Sequence, residues 1–541
     1  MKKILALFLA GVMAISLGAC SSDTDSSASE TKTEAGKSTD TADADTEEKE
    51  DDGENKEGVD TSEHVVINYM VTGDIPSNRT NDTLAVLNEL LKEKVNAELN
   101  IHWIEWTDYV TNYNLTLASQ DGSVDLVGTA TDWLDAWPNT KNGAFLKLTE
   151  DMLQTYAPKT WASVPQENWE LCKYQGDIYM MPEDNYAQWT NHGYMYRQDW
   201  ATEAGLTDGV HSWEDMSTYF QYIKDTMPDV VPWDASGSGT TYFDAMSGGW
   251  IASHTDALFI EGLGMSLFWG ESKDDPYTLS NYFLEGDELV NFATTMKEWN
   301  DAGYWREDVL NYTGDTRQGF YEGLTGADQH HTETWGGTVR PRMDKEYPGS
   351  EVGFFYFGEE RGNIVSLNIT HGAMAIAASS KNPERALMVY DLMRNDEEIY
   401  RLINYGIEDD MYTVEGDRLI RADDFDNDTH GSSFNYWWGR NDDIGLKNAS
   451  FAWEPYEKLL ADEYNKNSIM YPYGQVVFET DSISSYMDNL SNVWNTYMAQ
   501  IAFGKSPDPE SYVEEFRNAL KSAGYEECMQ EIQAQITAVY G

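Results

Sequence analysis

The segment FNYWWGRNDD, residues 434–443, combines flat aromatic rings with planar polar groups in a short stretch. Aromatic faces can pack against the carbon faces of a pyranose ring, while guanidinium, amide and carboxylate groups bond its hydroxyls. Tyr436, Trp437, Trp438 and Arg440 are therefore candidate ligand-binding residues for a sugar. Neighbouring side chains of a strand face opposite ways, so at least one of the two tryptophans is expected to pack in the core.

Three further segments place tryptophan beside polar side chains. The candidates that they add are His331, Glu333 and Trp335 in ADQHHTETWGG (327–337), Tyr186, Gln188 and Trp189 in NYAQWTNHGY (185–194), and Trp250 in SGGWIASH (247–254). Packing in the core is the alternative interpretation for each of these tryptophans. The adjacent histidines of the first segment do not predict a metal site, because adjacent side chains diverge and no further ligand has a suitable spacing.

Alternating aspartates in DDFDNDTHG (423–431) suggest a calcium loop as one alternative. Asp424, Asp426 and Asp428 have the spacing of calcium ligands. However, Thr429 stands where such loops have glycine, and Asn435 stands where they have glutamate. A solvated acidic loop is the preferred interpretation, with no cofactor expected and a structural calcium ion as the alternative.

Motifs of nucleophilic, zinc and phosphate chemistry are absent from the sequence. It contains no GxSxG, HExxH or Walker A run. Carboxylates are so abundant that a glycosidase pair could be imagined almost anywhere, and abundance is therefore no evidence for one. We expect no enzymatic activity.

Several elements that position these residues can be predicted from hydrophobic periodicity. HVVINYMV (64–71) predicts a strand, a stripe of leucines and valine over 84–95 predicts a helix, and alternation over 97–103 predicts a second strand. A helical segment around 108–119 then leads to a third strand at 124–130. This order predicts an open, mostly parallel α/β sheet, in which ligands lie beyond the carboxyl ends of the strands. The polar and aromatic candidates in those loops are Asp74, Asn78, Arg79, Asp132 and Trp133.

Helix start signals recur later in the chain. Ser212 is predicted to cap the helix that follows it. Asn382 is predicted to cap the helix that has Pro383 in its first turn, and Asp508 before Pro509 repeats this start signal.

Composition describes a large, acidic body. The 541 residues carry a formal charge of −58, which argues against a nucleic-acid partner because a polyphosphate would be repelled. The 19 tryptophans and 33 tyrosines suggest either large cores or stacking surfaces for sugars. Cys172 and Cys528 are too few for a disulfide scaffold, and the sequence does not show whether they pair.

The N-terminal 63 residues read as a targeting segment and a tether. Lys2 and Lys3 precede a short apolar run, followed by Leu17-Gly18-Ala19-Cys20, which resembles the bacterial lipobox. In a lipobox the cysteine receives a diacylglycerol, so Cys20 is the predicted lipidation site, with an ordinary cleaved signal peptide as the alternative. Residues 21–63 contain no aromatic residue and are predicted to form a disordered acidic tether.

Several motifs together resemble the solute-binding lipoproteins of bacterial carbohydrate ABC importers. They are GDIYMMP (176–182), YMYRQDWATEAGL (194–206), NPERALMVYDLM (382–393), INYGIEDDMYTVEGD (403–417) and AFGKSPDPESYVEEFRNALKSAGYEE (502–527). Asp409 departs from the family pattern, which usually has glycine there. By position in that family, segment 327–337 reaches the ligand cleft from the second lobe, and the aromatic residues of 185–194 follow the first crossing between lobes.

The resemblance implies an α/β, two-lobed periplasmic-binding-protein-like fold that closes on an oligosaccharide like a hinge. It implies a first lobe from residues 64–185 and about 366–430, and a second lobe from residues 186–365 and about 431–541, with crossings near 183–188 and 364–368. It further implies a monomer that delivers its ligand to an ABC permease. The lipobox and the long tether favour lipid anchoring on the extracellular face of the cytoplasmic membrane of a Gram-positive bacterium, with a periplasmic lipoprotein as the alternative. The alternatives are a peptide-binding importer component and a surface-anchored glycoside hydrolase or lectin.

Overall fold

The computed structural model describes the chain over residues 60–183, 192–236, 240–422, 424–436, 438–441, 443–448 and 458–541. Among the helices of these ranges, none combines the length and the hydropathy of a membrane-spanning segment.

The strands of the described ranges are mostly short. In chain order they are β1 Val65–Thr72, β2 Ala97–Ile104, β3 Leu126–Thr129, β4 Lys173–Tyr174, β5 Asp177–Ile178, β6 Met181–Pro182, β7 His192–Tyr196, β8 Leu258–Phe259, β9 Trp269–Gly270, β10 Ala327–His331, β11 Gly353–Tyr356, β12 Ile364–Val365, β13 Ala373–Ile376, β14 Thr413–Glu415, β15 Arg418–Ile420, β16 Lys447–Asn448 and β17 Ser468–Ile469.

Helices connect and cover these strands. The α-helices are Thr80–Val95, Tyr109–Ser119, Ala136–Lys141, Glu150–Tyr156, Pro158–Ser163, Gln166–Glu170, Gln198–Glu203, Trp213–Thr226, Thr240–His254, Glu288–Ala302, Thr316–Tyr321, Thr332–Thr334, Arg340–Glu346, Pro383–Asn395, Glu397–Tyr405, Asn427–His430, Asn465–Asn467, Ser484–Ala502, Pro509–Ala523 and Tyr525–Tyr540.

A five-stranded sheet organises the first lobe, with strand order β2-β1-β3-β13-β6. β1 pairs in parallel with β2 and with β3, whereas β13 is antiparallel to β3 and β6. Ile67, Tyr69, Met70 and Val71 of β1 are all fully buried, because packing covers both faces of the sheet. The predicted opening strand–helix–strand–helix–strand unit is confirmed.

The second lobe is built on a smaller, antiparallel sheet with strand order β10-β7-β11. Tyr194 and Phe355 of this sheet belong to the largest buried apolar cluster of the described chain. The amphipathic helices Glu288–Ala302, Ser484–Ala502 and Pro509–Ala523 contribute to the same cluster. The C-terminal helices are therefore part of the core of the second lobe.

Two separate hydrophobic cores define the lobes, and the chain passes between them more than once. One core draws on residues between 67 and 181, between 373 and 403, and at 434–438. The other draws on residues between 194 and 357 and between 471 and 536. Phe434, Tyr436 and Trp438 therefore pack in the first lobe, and β16 pairs with β15. These aromatic side chains complete the first core, and they follow the boundary that was predicted near residue 430.

Helix caps and cysteines follow from local chemistry. The Ser212 hydroxyl accepts the N–H of Asp215, and Asp508 accepts the N–H of Ser511, so both predicted caps are confirmed. Asn382 stands at the N-cap position of its helix but makes no side-chain cap bond, so the cap predicted there is wrong. Cys172 and Cys528 are free and buried in different cores, so they do not pair with each other.

Candidate functional site

A cavity of about 540 Å³ is bounded by residues of both lobes. Its first-lobe wall includes Tyr109, Asp132, Trp133, Asp135 and Trp137. Its second-lobe wall includes Asp244, Phe259, Glu261, Tyr471 and Tyr473. The first wall lies beyond the carboxyl ends of β2 and β3, which is where open parallel sheets bind ligands.

Aromatic rings cluster around Trp133. Its indole stacks on that of Trp438, with ring centroids 5.7 Å apart and planes inclined by 23°. Trp106 and Tyr109, from the loop and helix after β2, lie with their ring centroids 6.1 and 6.0 Å from that of Trp133. Trp438 is fully buried and Trp106 is 40 % exposed, so the cluster extends from the core to the surface.

Gly128 of β3 allows this cluster to lie against the sheet. A Cβ atom at Gly128 would come within 2.6 Å of the Trp438 ring. Real Cβ atoms do not approach so closely, so any larger residue would push the buried indole outward. Since Trp438 supports Trp133, this glycine indirectly sets the position of the cavity wall.

Asp132 and His371 form a polar pair beside the Trp133 ring. The His371 Nδ1 atom and the Asp132 Oδ2 atom are 2.6 Å apart, and the Trp133 indole N–H donates to the His371 carbonyl at 3.0 Å. Burial lowers the pKa of His371, but the charge of Asp132, their hydrogen bond and the charge of Glu333 together raise it above its ordinary value. The other Asp132 oxygen, Oδ1, is buried and accepts no hydrogen bond within the described structure.

Glu261 presents a second carboxyl group from the opposite lobe. Its backbone N–H donates to the Tyr471 hydroxyl at 2.8 Å, which fixes the residue after β8. Burial raises the pKa of Glu261 well above its ordinary value, and the charge of Asp132 raises it further. The buried Glu261 Oε2 atom accepts no hydrogen bond within the described part of the chain. Each lobe thus contributes one carboxyl oxygen without a partner to the cavity walls.

Asp244 adds a further acidic group to the second-lobe wall. The Trp494 indole N–H donates to its carboxylate at 2.5 Å. Burial raises the pKa of Asp244 to about 6, and the bond from Trp494 opposes this change. Asp244 is therefore mostly ionised at neutral pH, at a cost to the folded state.

Other predicted residues lie where the lobes meet. The Arg440 guanidinium of the first lobe pairs with the Glu333 carboxylate of the second lobe at 3.6 Å. His331 accepts the Thr334 N–H at 3.3 Å. Burial, and then the neighbouring histidines, lower the pKa of His331 well below its ordinary value, so the ring is neutral at physiological pH. The structure thus brings Arg440 and Glu333 together, with Glu333 close enough to act on the pKa of His371.

Three predicted residues of the β1 loop make contacts within the first lobe. The Arg79 guanidinium pairs with the Asp410 carboxylate at 2.7 Å, and the Asn78 amide donates to the Asn427 carbonyl at 3.1 Å. Asp74 accepts the Trp106 N–H at 3.3 Å. Their polar atoms hold neighbouring loops in place, and we do not include these residues in the site proposed below.

Buried tryptophans account for part of the predicted set. Trp250 stacks on His254 with ring centroids 3.7 Å apart, and Trp335 stacks on Phe354 while its indole N–H donates to the Val352 carbonyl. Both are about 5 % exposed, and Tyr436 is also buried. We assign these three side chains to packing.

Several predicted residues lie outside the ranges that the structure describes. They are Cys20, Tyr186, Gln188, Trp189 and Trp437.

In the described acidic loop, the Asp426 carboxylate accepts the N–H groups of Asp428 and Thr429 as a helix cap, and Asp424 and Asp428 are exposed. Within the described ranges, no group of three or more His, Cys, Asp or Glu side chains is arranged to hold a metal ion.

Sequence reasoning missed several residues of the cavity. Tyr109 follows a parallel strand, so the rule that selected the loops after β1 and β3 would have found it, together with Trp106, which contacts the Trp133 ring without lining the cavity. Glu261 and Asp244 had no such signal, because one follows a two-residue strand and the other lies within a helix. Their position depends on long-range packing of the second lobe.

Comparison with known proteins defines the class first. The solved structures that this chain resembles are two-lobed solute-binding proteins, and each match covers most of both chains. The predicted fold class is therefore confirmed. A model of a domain of unknown function, DUF3502, matches residues 472–540.

The particular relatives bind carbohydrates, according to their names. A carbohydrate ABC transporter substrate-binding protein of Streptococcus pneumoniae is 23 % identical over 89 % of this chain and 92 % of its own. The N-glycan transport solute binding protein of the same organism matches at 19 % identity over 88 % of this chain and 99 % of its own, with a TM-score of 0.71. A human-milk-oligosaccharide-binding protein of Bifidobacterium longum infantis matches at 14 % identity over 87 % and 98 % of the two chains, with a TM-score of 0.64. The predicted resemblance to carbohydrate solute-binding proteins is confirmed.

Proposed function

We propose that this protein is the substrate-binding component of a carbohydrate ABC importer, which captures an oligosaccharide between its two lobes and delivers it to a membrane permease. One observation carries the proposal: a cavity bounded by both lobes has aromatic rings and carboxyl groups on its walls. Trp133 and Tyr109 offer ring faces for the carbon face of a sugar, while Asp132 and Glu261 offer acceptors for its hydroxyls. The names of the similar proteins support this cargo class.

Contacts from both lobes explain how ligand and lobe closure are linked. A ligand shifts a conformational equilibrium only by its difference in affinity for the two states. A sugar that touches Trp133 and Glu261 at once gains all of its contacts only when the lobes are together. The closed conformation would then be the form of the protein that signals a bound sugar to the permease.

The test is a thermal-shift and calorimetry panel of the purified protein against neutral oligosaccharides, acidic oligosaccharides and short peptides. Binding to the native state alone raises the melting temperature, increasingly as the ligand exceeds its dissociation constant. We expect a shift with at least one oligosaccharide and a smaller radius of gyration in small-angle scattering when it is bound. A shift with peptides alone would contradict the cargo, and binding without compaction would favour a lectin.

Transport without chemistry is the second part of the proposal. The relatives named above are binding proteins of transporters. We expect the oligosaccharide to be recovered intact, by mass spectrometry, after prolonged incubation with the protein. Hydrolysis that disappears in Asp132→Asn or Glu261→Gln would instead make this pair a glycosidase pair. Binding is expected to persist in EDTA, since we propose no metal cofactor.

Anchoring and location rest on the N-terminal segment. We propose that Cys20 carries the lipid and that residues 21–63 tether a monomeric body to the extracellular face of the cytoplasmic membrane. Radiolabelled fatty acid should enter the wild-type protein and not Cys20→Ala, which should appear in the medium. Equal labelling of both proteins would contradict the anchor.

A further inference from the structure

The charged residue types in the described lining of the cavity are all acidic. Its described lining includes the carboxyl groups of Asp132, Asp135, Asp244 and Glu261, and no Lys, Arg or His side chain belongs to that described lining. His371 bonds Asp132 but is not itself among the lining residues. A negatively charged ligand group would find no cation on these walls.

Two of these carboxyl groups have acceptor capacity that the protein leaves unused. The Asp132 Oδ1 and Glu261 Oε2 atoms are both buried and accept no hydrogen bond in the described structure. Buried polar atoms are normally satisfied, and an unsatisfied one destabilises the structure. The two residues line the cavity from opposite lobes, so a ligand that displaces the atoms now covering these oxygens could donate hydroxyl groups to both.

The hydrogen-bond partners of the wall carboxyl groups also distinguish neutral from acidic ligands. Asp132 bonds His371, whose pKa the charge of Asp132 raises, and burial raises the pKa of Glu261 well above its ordinary value. Asp135 and Asp244 accept hydrogen bonds from uncharged donors: the Asn114 amide donates to the first, and the Trp494 indole to the second. Neither donor carries a charge, so neither could neutralise the field that an acidic ligand would meet.

We propose that this cavity selects uncharged, hydroxyl-rich sugar residues and excludes sugars that carry a carboxylate or a sulfate group, such as uronates and sialylated or sulfated glycans. This inference rests on the proposed function and names the substrate class of the same site. A neutral sugar supplies hydroxyl donors to the free acceptors. An acidic sugar places a like charge beside Asp244 in a partly water-excluded space, where charges are weakly screened.

The experiment compares matched glycans that differ only in charge. Man5GlcNAc, maltotriose and lactose are titrated into the protein by calorimetry at about 0.15 M salt, each beside a derivative with a primary hydroxymethyl group oxidised to a carboxylate. Sialyllactose and an alginate trimer complete the panel. We expect at least one neutral glycan to bind, and its oxidised derivative to bind at least about tenfold more weakly, which corresponds to about 1.4 kcal/mol.

Two variants assign the effect to the cavity. Asp244→Asn keeps an acceptor for the Trp494 indole and removes the charge, so it should reduce the ratio of the neutral-glycan affinity to the oxidised-glycan affinity by at least about threefold. Glu298→Gln removes a carboxylate from an exposed face of the helix Glu288–Ala302 and should leave both affinities unchanged. An equal gain in both variants would assign the discrimination to the overall charge of the protein and overturn the inference.

The outcomes distinguish the inference from the function on which it rests. Equal binding of a neutral glycan and its oxidised derivative, or preferential binding of the alginate trimer, would overturn charge selection and leave carbohydrate transport standing. Binding of peptides without any glycan would overturn both. We expect neutral glycans to bind, acidic glycans to be rejected, and Asp244→Asn to narrow the difference between the two affinities.

Discussion

Asp244 links the acidic wall of the cavity to the stability of the fold. Burial raises its pKa from 3.8 to about 6. Between these values the unfolded chain has released the proton while the folded chain retains it, so the free energy of unfolding falls as the pH rises. Replacement of Asp244 by asparagine removes this titration and keeps an acceptor for the Trp494 indole.

The size of the effect follows from the two pKa values. Their difference of 2.2 (6 minus 3.8), at 1.36 kcal/mol for each pKa unit, corresponds to about 3 kcal/mol in full. About four-fifths of this change falls between pH 4 and pH 7.5. The stability of Asp244→Asn relative to wild type should therefore increase by about 2.4 kcal/mol over that interval.

Urea unfolding of both proteins, followed by tryptophan fluorescence at a series of pH values, measures this difference. The comparison cancels the titration of every group that the two proteins share. Glu298→Gln, which changes an exposed carboxyl group, should run parallel to wild type. If the curves of wild type and Asp244→Asn also ran parallel from pH 4 to pH 7.5, the burial argument for this wall would be wrong.

Other parts of the site yield three further expectations. Trp133→Ala should weaken oligosaccharide binding at least about tenfold, because it removes the ring at the centre of the aromatic cluster; calorimetry measures this. Gly128→Ala should lower the free energy of unfolding by about 1–3 kcal/mol, since the new methyl group collides with a buried indole; urea unfolding measures this. The pKa of His371 is raised, so its ion pair should stabilise the fold below about pH 6.5 and lose this contribution as the pH rises through the folded value, which NMR titration of the ring can follow.

Each of these expectations has a matched control. Trp161→Ala removes a partly buried indole that belongs to the first lobe and is not among the lining residues, and should lower stability without changing ligand affinity. Gly337→Ala adds a methyl group where nothing lies within 4 Å, so it should be tolerated. For the ion pair, Asp132→Asn should return the His371 pKa towards or below its ordinary value; an unchanged titration would contradict the assigned partner.

The acidic wall makes stability and ligand choice interdependent. A neutral residue in place of Asp244 is predicted to strengthen the fold and to relax the exclusion of acidic sugars. Retaining a carboxylate at a site where burial opposes its charge is the behaviour expected of a group that serves binding. The two measurements on this one variant therefore test the same physical account from independent directions.

Local patterns predicted the elements that build the first wall. The apolar run of β1, the leucine stripe of the helix Thr80–Val95 and the alternation in β2 each reflect burial on a fixed period, which the sequence records directly. The helix caps at Ser212 and Asp508 are equally local, because the donor lies three residues away from the acceptor. The rule for carboxyl ends of parallel strands then brought attention to Asp132 and Trp133.

The same rule could not separate cavity residues from loop-packing residues. Arg79 satisfies the pattern as well as Asp132 does, yet its guanidinium pairs with Asp410, more than three hundred positions later. Trp250 and Trp335 have suitable chemistry and are buried by packing that involves other parts of the second lobe. Such outcomes depend on which distant segments meet.

What the sequence determined by itself is the set of elements, their parallel arrangement at the start of the chain, and the resemblance to carbohydrate solute-binding proteins. Only the tertiary structure decided that Glu261 opposes Asp132, that Asp244 is buried beside Trp494, and that the described lining of the cavity carries carboxyl groups without basic ones. The physical reason is range: periodicity and capping act over a few residues, whereas the burial and charge of a site are sums over side chains that only the fold brings together.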